Sequence, residues 1–122
     1  MKRTLLFGSL LLTVLAVTAG AAQAAASVDS VGCSPEPSFK NQSATCSASY
    51  SGIDAKTCSV DFGDGNVVAG TLVKTGKNAG TCSAENVYDS KGDYTVTVTV
   101  WDKKMAHSAS NSGGHTVKRQ RD

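Results

Sequence analysis

An all-β fold of antiparallel strands follows from two segments of this chain. Val60 to Gly65 reads VDFGDG, a short strand stopped at a turn with two glycines, and Asn86 to Asp102 reads NVYDSKGDYTVTVTVWD, which holds a long strict alternation. Asp64 and Gly65 are expected at the centre of a hairpin turn, because such turns need positive φ, which Gly accepts freely and Asp tolerates better than branched residues. Before the turn, Cys58, Val60 and Phe62 share one face and Ser59 and Asp61 the other. From Tyr94 onward, Tyr94, Val96, Val98 and Val100 point one way and Thr95, Thr97, Thr99 and Trp101 the other. A period of two excludes a helix and marks half-buried strands.

The same periodicity orders the rest of the chain. Ala25 to about Phe39 reads as a leading strand with Val28, Val31 and Cys33 as its apolar residues, ended by the extended turn Pro35, Glu36, Pro37. Gln42 to Tyr50 is a second strand, alternating Ala44, Cys46, Ala48 and Tyr50 against Thr45, Ser47 and Ser49. Ser51 to Lys56 is a turn and Thr57 to Phe62 a third strand. Asn66 to Lys74 is a fourth, with Val67, Ala69 and either Leu72 or Val73 facing inward. Thr75 to Gly80 is loop, Cys82 to Tyr88 a fifth strand, Asp89 to Asp93 a turn and Tyr94 to Trp101 the sixth. Only His107 to Lys118 remains to close the fold. Ser108 to Gly114 contains nothing but Ser, Ala, Asn and Gly, so this segment is expected as either a frayed edge strand or a disordered tail, with Val117 its one anchor.

The two opening segments resemble the PKD repeat, whose motifs run roughly WDFGDG, then HTY, then GTYTVTLTVTD. The resemblance covers about two thirds of the chain beyond its leader, in the right order and spacing. It implies an immunoglobulin-like antiparallel β-sandwich of about seven strands, a non-catalytic module of extracellular proteins that mediates contacts. Three positions depart from the pattern. Val60 stands where the family carries a core Trp, implying a smaller core. Asn86 replaces the His before the Tyr, removing a typical polar anchor. Trp101 occupies a position that is usually small and polar.

Residues 1–24 have the form of a secretory signal. Lys2 and Arg3 make a basic start, Leu5 to Val17 an apolar run too short to span a bilayer, and Ala22-Gln23-Ala24 a peptidase site, with Ala24 to Ala26 offering a second one two residues on. An uncleaved anchor is the competing reading. The expected organisation is a signal peptide over 1–24, a sandwich over 25–104 and a polar basic tail over 105–122 that could supply an edge strand, in a protein that is secreted, periplasmic or at the cell surface without a stable membrane anchor. The chain carries 12 Lys and Arg against 10 Asp and Glu. Without Lys2 and Arg3 the two signs balance, but they segregate: residues 25–102 hold five lysines against nine acids, and 103–122 hold five basic residues against Asp122. Lys118, Arg119 and Arg121 read as a solvated end. A nucleic-acid partner is not expected, since no aromatics are interleaved with these charges.

Four cysteines in an exported chain point to two disulfides. Zinc is disfavoured because Cys33, Cys46, Cys58 and Cys82 are all spaced too widely for a zinc knuckle. Of three possible pairings, Cys33 with Cys46 and Cys58 with Cys82 is expected, because nearest-neighbour closure suits adjacent antiparallel strands. Each bridge is worth about 3 kcal/mol by chain entropy.

Catalysis is not expected. His107 and His115 lie in the polar tail, where no rigid element holds them, and no serine has a G-x-S-x-G setting. Some PKD-like domains bind calcium, but Asp61, Asp64, Asp89, Asp93 and Asp102 lack a contiguous D-x-D-x-D loop and read as turn and strand-end residues, so no metal ligands and no cofactor are assigned. Asn41 to Ser43 fits an N-glycosylation acceptor. Tyr88 and Tyr94 read as core and corner residues whose hydroxyls find backbone partners. Trp101 shares a solvated face with Thr95, Thr97 and Thr99, and an aromatic beside hydroxyls suits stacking on sugars or anchoring a partner protein. The alternative is that Trp101 folds over the rim and covers core. The expected function is therefore recognition of, or adhesion to, a polysaccharide or an extracellular or envelope protein. The alternative is a structural envelope or matrix domain without a specific ligand.

Overall fold

A computed structural model describes residues 25–119; the expected signal peptide and residues 120–122 lie outside them. The described residues form ten strands and no helix: β1 Ser27–Val28, β2 Gly32–Ser34, β3 Ser38–Phe39, β4 Ser43–Ser51, β5 Ala55–Asp61, β6 Val67–Ala69, β7 Thr71–Gly76, β8 Ala79–Val87, β9 Gly92–Asp102 and β10 Ser108–Lys118. They pack as two five-stranded sheets. The first runs β1-β4-β8-β7, with β2 also paired to β4, and the second runs β3-β10-β9-β5-β6. This is the all-β sandwich that the alternation predicts.

The core lies between the sheets and is made mostly of small side chains. Ala44, Cys46, Ala48 and Tyr50 enter it from β4, Cys58 and Val60 from β5, Cys82 from β8, and Val96, Val98 and Val100 from β9. Phe62 and Tyr88 are the largest fully buried residues, set edge to face with ring centroids 6.2 Å apart. Tyr88 donates its hydroxyl to the Phe62 carbonyl at 2.8 Å, and Tyr94 donates to the Ser90 carbonyl at 2.7 Å. Both tyrosines thus find the backbone partners expected of core and corner residues.

Both expected disulfides are present, for different geometric reasons. Cys33 and Cys46 are opposite residues of β2 and β4, with Cα atoms 4.0 Å apart, as nearest-neighbour pairing on adjacent strands requires. Cys58 and Cys82 instead join β5 to β8, one from each sheet, with Cα atoms 6.3 Å apart. Gly70 packs directly on this second bridge, because a Cβ there would lie 2.6 Å from both sulfurs.

Gly70 also corrects the expected fourth strand. The chain changes sheets at this residue, so 66–74 is two strands, β6 beside β5 and β7 beside β8. Pairing with β5 sets which side of β6 faces inward: Val68 lies opposite the buried Val60 and packs on the core, as does Leu72 of β7, whereas Val67 and Ala69 are exposed. The leading strand is likewise divided. β1 and β2 pair with β4, whereas β3, beyond the prolines, joins β10 in the other sheet. In the hairpin turn the positive φ values belong to Gly63 (81°) and Gly65 (98°), not to Asp64, whose carboxylate accepts from the Asn66 amide at 3.0 Å. A Cβ on Gly63 would meet the Thr95 carbonyl at 2.5 Å, so this glycine is needed for close approach as well as for its φ.

The segment expected as either a frayed edge strand or a disordered tail is an eleven-residue strand, and it lies inside its sheet between β3 and β9. β10 pairs antiparallel with β9 from Ser108 opposite Trp101 to Val117 opposite Gly92, so the sandwich extends to Lys118 rather than ending at residue 104. Its inward positions need little apolar bulk because backbone fills the space. A Cβ on Gly113 would lie 2.4 Å from the Val31 carbonyl, and Asn111 donates from Nδ2 to the Val28 carbonyl at 3.1 Å.

Gly70→Ala should lower stability by about 1–3 kcal/mol in denaturant unfolding, as overpacking against a rigid disulfide does, with both bridges still formed. Burial pushes the Tyr88 hydroxyl up to about 12 from its ordinary 10, with the Asp64 carboxylate adding to the shift. The folded state therefore holds that proton more tightly than the unfolded chain. The resulting stability should be intact below pH 10 and be lost as pH rises toward 12. Tyr88→Phe should remove this alkaline loss and cost about 1 kcal/mol at neutral pH. Tyr50→Phe should be neutral or stabilising, because the Tyr50 hydroxyl is buried without a hydrogen-bond partner among the described residues.

Candidate functional site

β9 lies inside its sheet, between β10 and β5, so its outer residues sit in rows that cross three strands. Trp101 is flanked by Thr57 and Ser108, Thr99 by Ser59 and Ser110, Thr97 by Asp61 and Ser112, and Thr95 faces Gly114. Rows recur about every 7 Å along the strands, which are about 4.8 Å apart. The structure thus brings Thr95, Thr97, Thr99 and Trp101 together on one face, with neighbours that are mostly hydroxyls. Thr97 and Ser112 hydrogen bond to each other at 2.7 Å across the strands. Trp101 is half-buried and is not among the apolar side chains packed against the core, whereas its neighbour Val100 is fully buried. The indole therefore lies on the outer face beside Thr57 and Ser108 rather than covering core.

The opposite sheet also presents hydroxyls. Ser43, Thr45, Ser47 and Ser49 of β4 face outward beside Thr81 and Ser83 of β8, and a shallow hollow is lined by Ser34, Thr45, Ser47 and Thr81. No aromatic side chain lines this hollow. Hydroxyls alone therefore do not distinguish one face from the other, and Trp101 does.

The two histidines have different environments. His107 is exposed and places Nδ1 2.9 Å from Asp102, whose carboxylate also accepts from the Ala106 amide at 3.0 Å. These contacts hold the Asp102 carboxyl below the usual carboxylate range, with the His107 side chain the main cause. His115 corrects the expectation of an untethered, solvent-exposed histidine. It is 1% exposed on β10, with Nε2 2.8 Å from the Ser38 hydroxyl and Nδ1 against the Glu36 carboxylate. Ser38 and Glu36 lie almost 80 positions away, so no local pattern pointed to this contact. The order serine, imidazole, carboxylate is that of a hydrolase triad. Here, however, Ser38 is fully buried, and the trio ties the proline segment to β10 as a polar clamp.

The acidic residues serve turns and strand ends. Asp61 accepts from the Gly63 amide at 3.0 Å, and Asp64 accepts from Asn86 at 2.9 Å. Asn86 also accepts from the Asn66 side chain at 3.2 Å, so it supplies a polar anchor to the turn where the loss of one was expected. Among the described residues no group of three or more His, Cys, Asp or Glu is placed to hold a metal ion.

Comparison with known proteins agrees with this architecture. The PKD domain family matches residues 28–112. Among solved structures, the chain is similar to the PKD domain of an M14-like peptidase from Thermoplasmatales archaeon SCGC AB-540-F20, with a TM-score of 0.58 and 16% identity over 80% of this chain and 100% of that one. No curated protein matches the chain.

The clamp generates a prediction. Ser38→Ala should cost about 1–3 kcal/mol in denaturant unfolding, because it leaves the buried His115 Nε2 without a partner.

Proposed function

The chain belongs to the PKD domain family, and on that premise we propose that it is a non-catalytic extracellular recognition module. Its outer β9 face binds a polysaccharide, or an extracellular or envelope protein, through Trp101 with Thr95, Thr97 and Thr99 beside it. Three features support a setting outside the cytoplasm: the family, the two disulfides and the signal-like residues 1–24. The observation that carries the reading is the position of Trp101: an indole kept out of the core, at the end of a strand whose outer neighbours are mostly hydroxyls. Indole stacking on a sugar ring, with hydroxyls hydrogen bonding at its edges, is the chemistry this arrangement offers.

A structural domain with no specific ligand is the second reading. It is favoured by the hydroxyl-lined face of the opposite sheet, which has no aromatic residue and shows that this chain solvates its sheets with Ser and Thr in any case.

Trp101 is the chain's single tryptophan, so its fluorescence reports the face directly. Titration with a bound polysaccharide or partner should shift the emission, and Trp101→Ala should weaken binding by about 2 kcal/mol or more while changing the melting temperature little. A loss of folding stability with no selective loss of binding would support the structural domain instead.

A further inference from the structure

The end of the sandwich opposite Trp101 gathers positive charge from three separate segments. Lys40 comes from the turn after β3, Lys91 from the turn before β9, and Lys118 and Arg119 from the end of β10. The backbone holds these segments together: the Lys40 amide donates to the Lys118 carbonyl at 2.8 Å, and the Asn41 amide donates to the Tyr88 carbonyl at 2.7 Å. Two surface hollows adjoin here through Lys91 and Arg119. One, of about 240 Å³, is lined by Lys40, Asp89, Ser90, Lys91 and Arg119, and the other includes Asp93, Thr116 and Lys118.

Four cations thus face two carboxylates, and Asp93 is already engaged by the Thr116 hydroxyl at 2.9 Å. None of the four cations forms an ion pair among the described residues, whereas Lys56 and Lys74 at the other end both pair with Asp54. The basic end also continues the hydroxyl face. Thr116 lies opposite Asp93, one row beyond Gly114 and Thr95 on the same side of β9 and β10. From Trp101 to Asp93 is about 26 Å along the strand.

We infer that the basic hollows formed by Lys40, Lys91, Lys118 and Arg119 bind the carboxylate or sulfate groups of an acidic polysaccharide that runs along the β9 and β10 face toward Trp101. The part played by Trp101 rests on the function proposed above; the basic end stands on its own geometry. A nucleic acid fits less well, because no aromatic side chain lines either hollow to stack on a base.

Affinity electrophoresis of the protein through gels containing polygalacturonate, dextran sulfate or unmodified dextran tests the inference, with a DNA duplex as competitor. The wild type should be retarded by at least one acidic polymer more than by dextran, and the retardation should vanish in about 0.5 M salt. The two acidic gels separate carboxylate from sulfate as the recognised group. The triple variant Lys40→Gln/Lys91→Gln/Arg119→Gln should weaken retardation about tenfold or more with an unchanged melting temperature. If the triple variant loses binding while Trp101→Ala keeps it, the basic end is upheld and the Trp101 reading fails; if only Trp101→Ala loses binding, the reverse holds. No retardation by either acidic polymer, retardation undiminished in the triple variant, or full displacement by DNA at equal charge would each overturn the inference.

Discussion

The disulfide between Cys58 and Cys82 is the interaction on which the rest of this sandwich depends. It is the covalent link between the two sheets and lies in a core whose other inward residues are largely Ala and Val. Val60 occupies the position where a PKD repeat ordinarily places Trp, and it is fully buried without filling a comparable volume. A core so poor in large side chains gains less from burial than one with an indole. Closing the chain across the sheets offsets part of that deficit by restricting the unfolded state. Gly70 belongs to the same device, because only a residue without a side chain lets the chain cross between sheets against the two sulfurs.

With the interior fixed in this way, the outer faces are free to carry polar chemistry. β9 shows this most clearly: Val96, Val98 and Val100 secure it from within, and Thr95, Thr97, Thr99 and Trp101 face outward on a strand flanked on both sides. Side chains on an interior strand are held more rigidly than side chains on a loop, which suits a flat recognition surface. The clamp of Glu36, Ser38 and His115 serves the same end by fastening β10, the strand that brings Ser108, Ser110 and Ser112 alongside β9. On this account the polar surface of the second sheet is kept in shape by one covalent and one hydrogen-bonded tie.

How much of this the sequence disclosed depended on whether each signal was local. Alternation from Tyr94 to Trp101 and the glycine turn at 63–65 identified the fold, and cysteine order led to the right pairs, although the second pair spans the sheets rather than neighbouring strands. β10 was obscure because three of its inward positions, Asn111, Gly113 and His115, face backbone and polar partners, leaving only Ala109 and Val117 on the apolar core. A hydrophobic pattern cannot report a strand that is packed in that way. Val67 and Ala69 face outward because the register of β6 sets Val68 opposite the buried Val60, a pairing across the turn that no local pattern reveals. The shared outer face of Thr95, Thr97, Thr99 and Trp101, the candidate site, was legible because these residues follow one another in alternation along β9. The basic end was not, because Lys40, Lys91 and Arg119 meet only once the turns have folded together.

Hydrogen exchange on two double variants tests the central role of the inter-sheet bridge most directly. Cys58→Ala/Cys82→Ala should lose slow-exchanging amides throughout β9 and β10, while Cys33→Ala/Cys46→Ala, which opens a bridge within one sheet, should keep them. Equal protection of β9 and β10 in both variants, or greater loss in the Cys33 and Cys46 variant, would contradict that role.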